Sequence, residues 1–416
     1  MRRVALLVIA LVVLAGLLYP VLARRSLRVA PDRVGAGTAR ADGRAIVALP
    51  LVLRDVNVAD LPTTRPGTAV PIVPMATDTA APPTPTATVA PPNPTVPVPT
   101  VTAKPPPDQR PDPATFEYTE WTIPGRNAGP HDIGVAPDGG IWYSGQASNQ
   151  IGRLDPATGT FKQWDAPTAG AGLHGLTVDV EGLVWVTEIE AGKIVRFDPV
   201  AEALREFPLP VAGVRPHTLL ALPDGMVWFT EQAGHAIARL NPADGSVERY
   251  RTPTNPSGPY GLDRAPDGSL WFAEFQSGAD KIGRLDPRTG KIDEFGPPTA
   301  AQGARRVAVD SHGRVWVSEF RSGKLGMYDP AAERWREWDP PTLRGQTYAV
   351  AVDAWDGVWI SQFRPHQLVY FDPATERFLE FPLPTADAAC RFLDTAPDGA
   401  VWCPESGTSK IARLGP

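Results

Sequence analysis

The chain has 416 residues, 48 of them proline, and a formal net charge of −6. Proline at that density excludes a mainly helical protein, because inside a helix it removes a hydrogen bond and clashes with the preceding turn. The acidic balance excludes a nucleic-acid footprint, and two cysteines are too few for a disulfide framework or a four-cysteine zinc site.

Val4 to Ala23 is uncharged and flanked by Arg2-Arg3 and Arg24-Arg25. A helix of that length spans about 30 Å, the thickness of a bilayer's hydrocarbon core. Residues 1–25 therefore read as a signal anchor, or as a signal peptide cleaved near Ala23 after Pro20. Either reading makes the rest extracytoplasmic: anchored to the cell membrane by the N-terminal helix, or secreted. Residues 26–61 carry one short apolar stretch, 45–53, and remain unassigned. Residues 62–114 hold 17 of the 48 prolines among Thr, Ala and Val. Such a segment buries no core and reads as a disordered, semi-rigid stalk of about 3 Å per residue.

From residue 115 to 416 the chain repeats itself. Trp142, Trp185, Trp228, Trp271, Trp316, Trp359 and Trp402 are spaced 43, 43, 43, 45, 43 and 43 residues apart. Within one repeat, Asp224-Gly225 reads as a hairpin turn between the apolar runs 217–222 and 226–231. Strands 236–240 and 247–251 follow. Asp-Gly recurs as Asp138-Gly139, Asp267-Gly268 and Asp398-Gly399, and shifts by one to Asp356-Gly357 in the sixth repeat. Four short strands per repeat, seven times, give an all-β, seven-bladed β-propeller of four-stranded antiparallel blades. The last repeat stops after its third strand, and Phe116 to Thr122 resembles a fourth, so the N-terminal strand is expected to close the ring. One tryptophan per repeat is expected to pack blade on blade. Cys390 and Cys403 lie on different strands of the last blade and, by hairpin counting, not opposite one another. Two buried thiols are the favoured reading there over a disulfide.

Chemistry is expected where the repeat is broken at the loop face. Hairpin counting pairs the residue eleven before each tryptophan with the one three after it. The pairs are His131 with Gly145, His174 with Glu188, His217 with Glu231, and Tyr260 with Glu274. Arg305 with Glu319, Tyr348 with Gln362, and Arg391 with Glu405 complete the ring. Five glutamates against two arginines make that ring acidic. Imidazoles beside carboxylates suit a divalent cation or general acid–base work.

The segments "GVRPHTLLALPDGMVWFTEQAGHAIARL" (Gly213 to Leu240) and "SGPYGLDRAPDGSLWFAEFQSGADKIGRL" (Ser257 to Leu285) resemble blades of the virginiamycin B (streptogramin) lyase family. So do "NQIGRL" at Asn149 and "EFPLP" at Glu206 and Glu380. The resemblance implies a monomeric seven-bladed propeller that linearises cyclic depsipeptides by elimination, with a histidine moving the proton and Mg²⁺ polarising the ester. In the register that retains more of the family's pattern, His217 is the base, His174 the assisting acid, and Glu231 with Glu188 hold the metal. Arg215 then stands where the family has a metal-binding glutamate. In the other register Arg215-Pro216-His217 matches the first motif, and Gly258 and Tyr260 replace the glutamate and histidine of the second. His131, Tyr260, Glu274, Arg305, Tyr348 and Arg391 are the expected substrate-binding residues. The readings carried forward are a lyase acting on a small cyclic peptide, a non-catalytic surface propeller binding a peptide, polymer or protein, and a metal-dependent lactone hydrolase.

Overall fold

The computed structural model describes residues 109–125 and 127–416. The expected anchor, the unassigned segment and nearly all of the stalk lie outside the described residues. Among those described, no helix is long and apolar enough to cross a membrane.

Seven four-stranded antiparallel sheets follow one another around a ring. Blades 1 to 6 occupy residues 130–165, 173–208, 216–251, 259–295, 304–338 and 347–382. Blade 7 takes its first three strands from Asp394–Thr395, Val401–Glu405 and Lys410–Gly415, and its fourth from Glu117–Thr122. That N-terminal strand pairs with the C-terminal one from Glu117↔Gly415 to Thr122↔Lys410. The two chain ends thus satisfy each other's backbone groups, and closure removes an open sheet edge.

Each repeating tryptophan lies in the core of the next blade. Trp142 packs with Leu176, Val184 and Phe197 of blade 2, and Trp228 with Leu262, Phe272 and Leu285 of blade 4. Trp402 packs with Ile133, Tyr143 and Leu154 of blade 1, completing the circle. Burying one such ring removes some 150–250 Å² of surface from water, so the period of the sequence is the period of the inter-blade contacts.

The hairpin turns between first and second strands use one left-handed residue rather than the two of a type I′ turn. Each has a single left-handed residue, such as Gly139 at φ 80° and Gly225 at φ 79°, closed by bonds such as Ala136 N–H to the Gly140 carbonyl. In the sixth repeat the shift by one puts Asp356 at that position, at φ 63°; Asp tolerates it better than most residues do.

Cys390 and Cys403 form a disulfide, with Cα atoms 5.8 Å apart, which corrects the reading as two free thiols. Cys390 bridges to Glu405, two residues along the second strand from Cys403. The cysteines are therefore diagonal neighbours on one face of the sheet, within bonding reach although not opposite.

Candidate functional site at the channel mouth

The first strand of each of blades 1 to 6 carries a register shift at the loop face. Pro216 lies opposite Glu231, yet Leu219 lies opposite Phe229, so three steps on one strand match two on the other. The same shift lies between Pro130 and Ile133, Leu173 and Leu176, and Ala304 and Val307. A bulge of this kind leaves an extra residue unpaired and re-aims its side chain. Its unpaired N–H is satisfied in five blades by a hydroxyl of the second strand. Thr187 accepts from Gly175 N–H at 2.7 Å and donates to the His217 carbonyl of the next blade at 2.8 Å. Thr230 does the same between Thr218 and Tyr260, and Ser318 between Arg306 and Tyr348. Each hydroxyl therefore holds the ring residue of the following blade in place. Gly175 is required by the closeness of the blades, since a Cβ there would meet the His217 carbonyl oxygen at 2.1 Å.

The bulge corrects the predicted pairing. The residue opposite each second-strand terminus is the one twelve before the tryptophan: Leu173 faces Glu188 and Pro216 faces Glu231. A one-residue shift moves a side chain to the other face of the sheet. The ring residues turn to the channel, and the glutamates turn back into their own blades.

Glu231 is fully buried and bound by Arg249 of the outermost strand, through Nε at 2.7 Å and through Nη2. Glu188 lies beside Lys193 and Glu206, which are joined to each other and to Thr168. Glu274 sits likewise with Lys281, Glu294 and Thr254, and Glu405 with Lys410, Glu120 and Thr385. Burial, and then the neighbouring carboxylate, pushes Glu188 up to about 7 and Glu274 up to about 8. Neither carboxyl oxygen of Glu188 or Glu274 has a donor, and burial beside a second carboxylate favours their protonated form. Glu188 and Glu231 thus lie with groups of their own blades rather than with His174 and His217.

The channel side is built differently. His131, His174 and His217 stand on consecutive blades with ring centroids 3.6 and 4.0 Å apart, and His217 meets the Tyr260 ring at 3.7 Å. All three are at least 95% buried. Burial, followed by the channel arginines for His131 and by a neighbouring imidazole and the arginines for His174 and His217, holds each well below the usual histidine range, which favours the neutral form. Across the ring, Arg305 Nη2 donates to Tyr260 Oη and Tyr348 Oη, both at 2.8 Å, and the two hydroxyls lie 2.7 Å apart. Arg391 Nε donates to Ser406 Oγ at 2.8 Å. Phe275, Phe320 and Phe363, half-buried on blades 4 to 6, surround this half of the mouth.

One layer deeper lie residues that sequence reasoning missed. Because of the bulge, the position ten before the tryptophan, elsewhere Gly175, Gly261, Ala349 or Phe392, brings Asp132, Thr218 and Arg306 together across the channel. Arg306 crosses the channel from blade 5 to Asp132 on blade 1 at 2.8 Å and to Thr218 on blade 3 at 3.0 Å, 2% exposed. It closes the floor of the mouth. The signal was an ion-pairing Asp and Arg in a column otherwise small or apolar, legible only once that column is known to face inward. His131, Asp132 and His174 offer ligand atoms within 4.8 Å of one another, although Asp132 is already held by Arg306 and His131. The expected acidic ring is replaced by three arginines, one aspartate and neutral imidazoles.

Comparison with known proteins agrees with this architecture. Residues 113–364 match the model of the virginiamycin B lyase family. A streptogramin B lyase structure is 28% identical, with TM-score 0.67, covering 72% of this chain and 97% of its own. Virginiamycin B lyase from Staphylococcus aureus is 26% identical, with TM-score 0.68 and coverage of 72% and 99%. A catalytically inactive histidine-to-alanine variant of the S. aureus enzyme, solved with quinupristin, is 27% identical, with TM-score 0.66 and the same coverage. No curated protein sequence matches the chain. On the family match and the seven-bladed ring together, the chain belongs to the virginiamycin B lyase family.

Proposed function

We propose that this chain is an exported, membrane-tethered propeller that binds a small ligand at its channel mouth and does not carry out the metal-assisted elimination of its lyase relatives. The observation that carries this reading is the separation of imidazole from carboxylate. Glu231, one expected metal ligand, is bound by Arg249 inside its blade, and Glu188, the other, lies beside the Lys193–Glu206 pair of its own blade. Mg²⁺ takes near-octahedral oxygen ligands, whereas the channel offers imidazoles and one carboxylate already paired with Arg306. Three guanidiniums further disfavour a divalent cation there. The ligand set does not fit Mg²⁺.

Export is supported by the uncharged stretch Val4 to Ala23 and by the Cys390–Cys403 disulfide, a bond that persists in oxidising compartments. A stalk of residues 62–114 would hold the propeller clear of the membrane. The ligand belongs to the size class of a small peptide or organic molecule, since Arg306 floors the mouth.

The lyase reading keeps one observation in its favour. The neutral histidines are competent bases, and His174 Nδ1 is buried without a partner. The discriminating experiment incubates the full chain with quinupristin, with and without Mg²⁺, and follows ring opening by chromatography and mass spectrometry. Intact quinupristin in both arms is expected. Mg²⁺-dependent ring opening that is lost in His217→Ala would overturn the proposal.

A further inference from the structure

The histidine half of the mouth is neutral and the other half is not. Arg305 and Arg391 have no carboxylate within ion-pairing distance among the described residues, whereas Arg306 beneath them is paired with Asp132. The Arg305 guanidinium carbon lies 3.7 Å from the Tyr348 ring centroid, 4.7 Å from that of Tyr260, and 4.5 Å from those of Phe275 and Phe320. Arg391 lies over the other neighbours of the same ring, 5.7 Å from Tyr348 and 5.4 Å from Phe363. The Arg305 Nε atom is buried without a hydrogen-bond partner. Two half-buried guanidiniums among aromatic rings, with unspent donors, are in want of an anion.

We propose that Arg305 and Arg391, flanking Tyr348 on adjacent sides, form an oxyanion seat for an organic carboxylate whose apolar body lies against Phe320 and Phe363. The proposal deepens the ligand-binding reading above and rests on it. A carboxylate is planar and matches the guanidinium fork, accepting two parallel N–H bonds. Its single charge suits the half-buried aromatic surroundings better than a strongly hydrated inorganic dianion. Of the two tyrosine hydroxyls, each accepts from Arg305 and only one donates to the other. The second hydroxyl proton is therefore free for the ligand. The pull of Arg305, Arg391 and Arg306 on Tyr348, which outweighs its burial and draws its hydroxyl below the usual tyrosine range, reports the same excess of positive charge.

The experiment measures thermal stabilisation of the full chain by benzoate, by its neutral isostere benzamide and by inorganic phosphate. Arg305→Met and Arg391→Gln variants are measured in parallel. Benzoate is expected to raise the melting temperature saturably, benzamide to leave it unchanged, and phosphate to act at least tenfold more weakly than benzoate. Arg391→Gln, a half-exposed position, should weaken benzoate at least tenfold without lowering the melting temperature of the free protein. Arg305→Met keeps the volume between the rings and should do the same. Equal shifts by benzoate and benzamide, phosphate equal to benzoate, unchanged benzoate affinity in Arg391→Gln, or no benzoate-dependent shift would each overturn the proposal. The assay involves no turnover. Failure here therefore leaves the non-catalytic reading standing, and quinupristin turnover would remove that reading without altering benzoate affinity.

Discussion

Replacing Thr187 by valine tests the hydroxyl that joins each bulge to the next blade. The side chain is fully buried, and its hydroxyl accepts from Gly175 N–H at 2.7 Å and donates to the His217 carbonyl at 2.8 Å. Valine has the same shape and satisfies neither group. Each buried orphan costs about 1–3 kcal/mol, and the added methyl returns roughly 1 kcal/mol of burial. The expected net loss is therefore about 1–5 kcal/mol, read from the denaturant midpoint at constant slope. Thr187→Ser restores both bonds and should recover most of the loss. Blade 4 supplies the reverse case: Ala273 holds the hydroxyl's place, so Ala273→Ser should stabilise by about 1 kcal/mol. A Thr187→Val loss under about 0.5 kcal/mol, or no rescue by serine, would refute the account of how the ring residues are held.

Other consequences follow from the buried glutamates and the last blade. Glu274 and Glu319 are raised to about 8, and Glu188 and Glu405 to about 7, from an unfolded value near 4.5. Their contribution is fully present below 4.5 and lost as pH rises through those values. The three channel histidines act oppositely, contributing only above their unfolded value of 6.5 and losing that contribution as pH falls. The unfolding midpoint should therefore decline between about pH 6.5 and pH 8, where only the glutamates titrate. Glu274→Gln, which removes one of the titrating carboxyls, should flatten that decline measurably. An unchanged slope would place the titration elsewhere. The Cys390–Cys403 bridge joins residues 13 apart, and a loop of that size is worth about 3 kcal/mol. The double Cys390→Ala, Cys403→Ala variant should unfold at correspondingly lower denaturant, and the native protein should show no free thiol under non-reducing denaturation. Intact quinupristin after incubation with Mg²⁺ is the functional counterpart.

The ring, its blade count and its closing strand were legible in the tryptophan spacing and in Phe116 to Thr122, because a packing contact made once per blade must recur once per repeat. The inward column His131, His174, His217, Tyr260, Arg305, Tyr348 and Arg391 was also legible, as the place where chemistry-bearing residues break the repeat. Its partners were not. Strand counting assumes a strict period of two, and one bulge near the loop face breaks that period where the site begins. That extra residue turns Glu188 and Glu231 away from the imidazoles, brings Asp132 and Arg306 into the channel, and so exchanges an acidic ring for a basic one. Local periodicity is written in the chain and specifies the blade. Which side chains face each other across the axis depends on residues as far apart as Asp132 and Arg306, and only the closed ring brings those together.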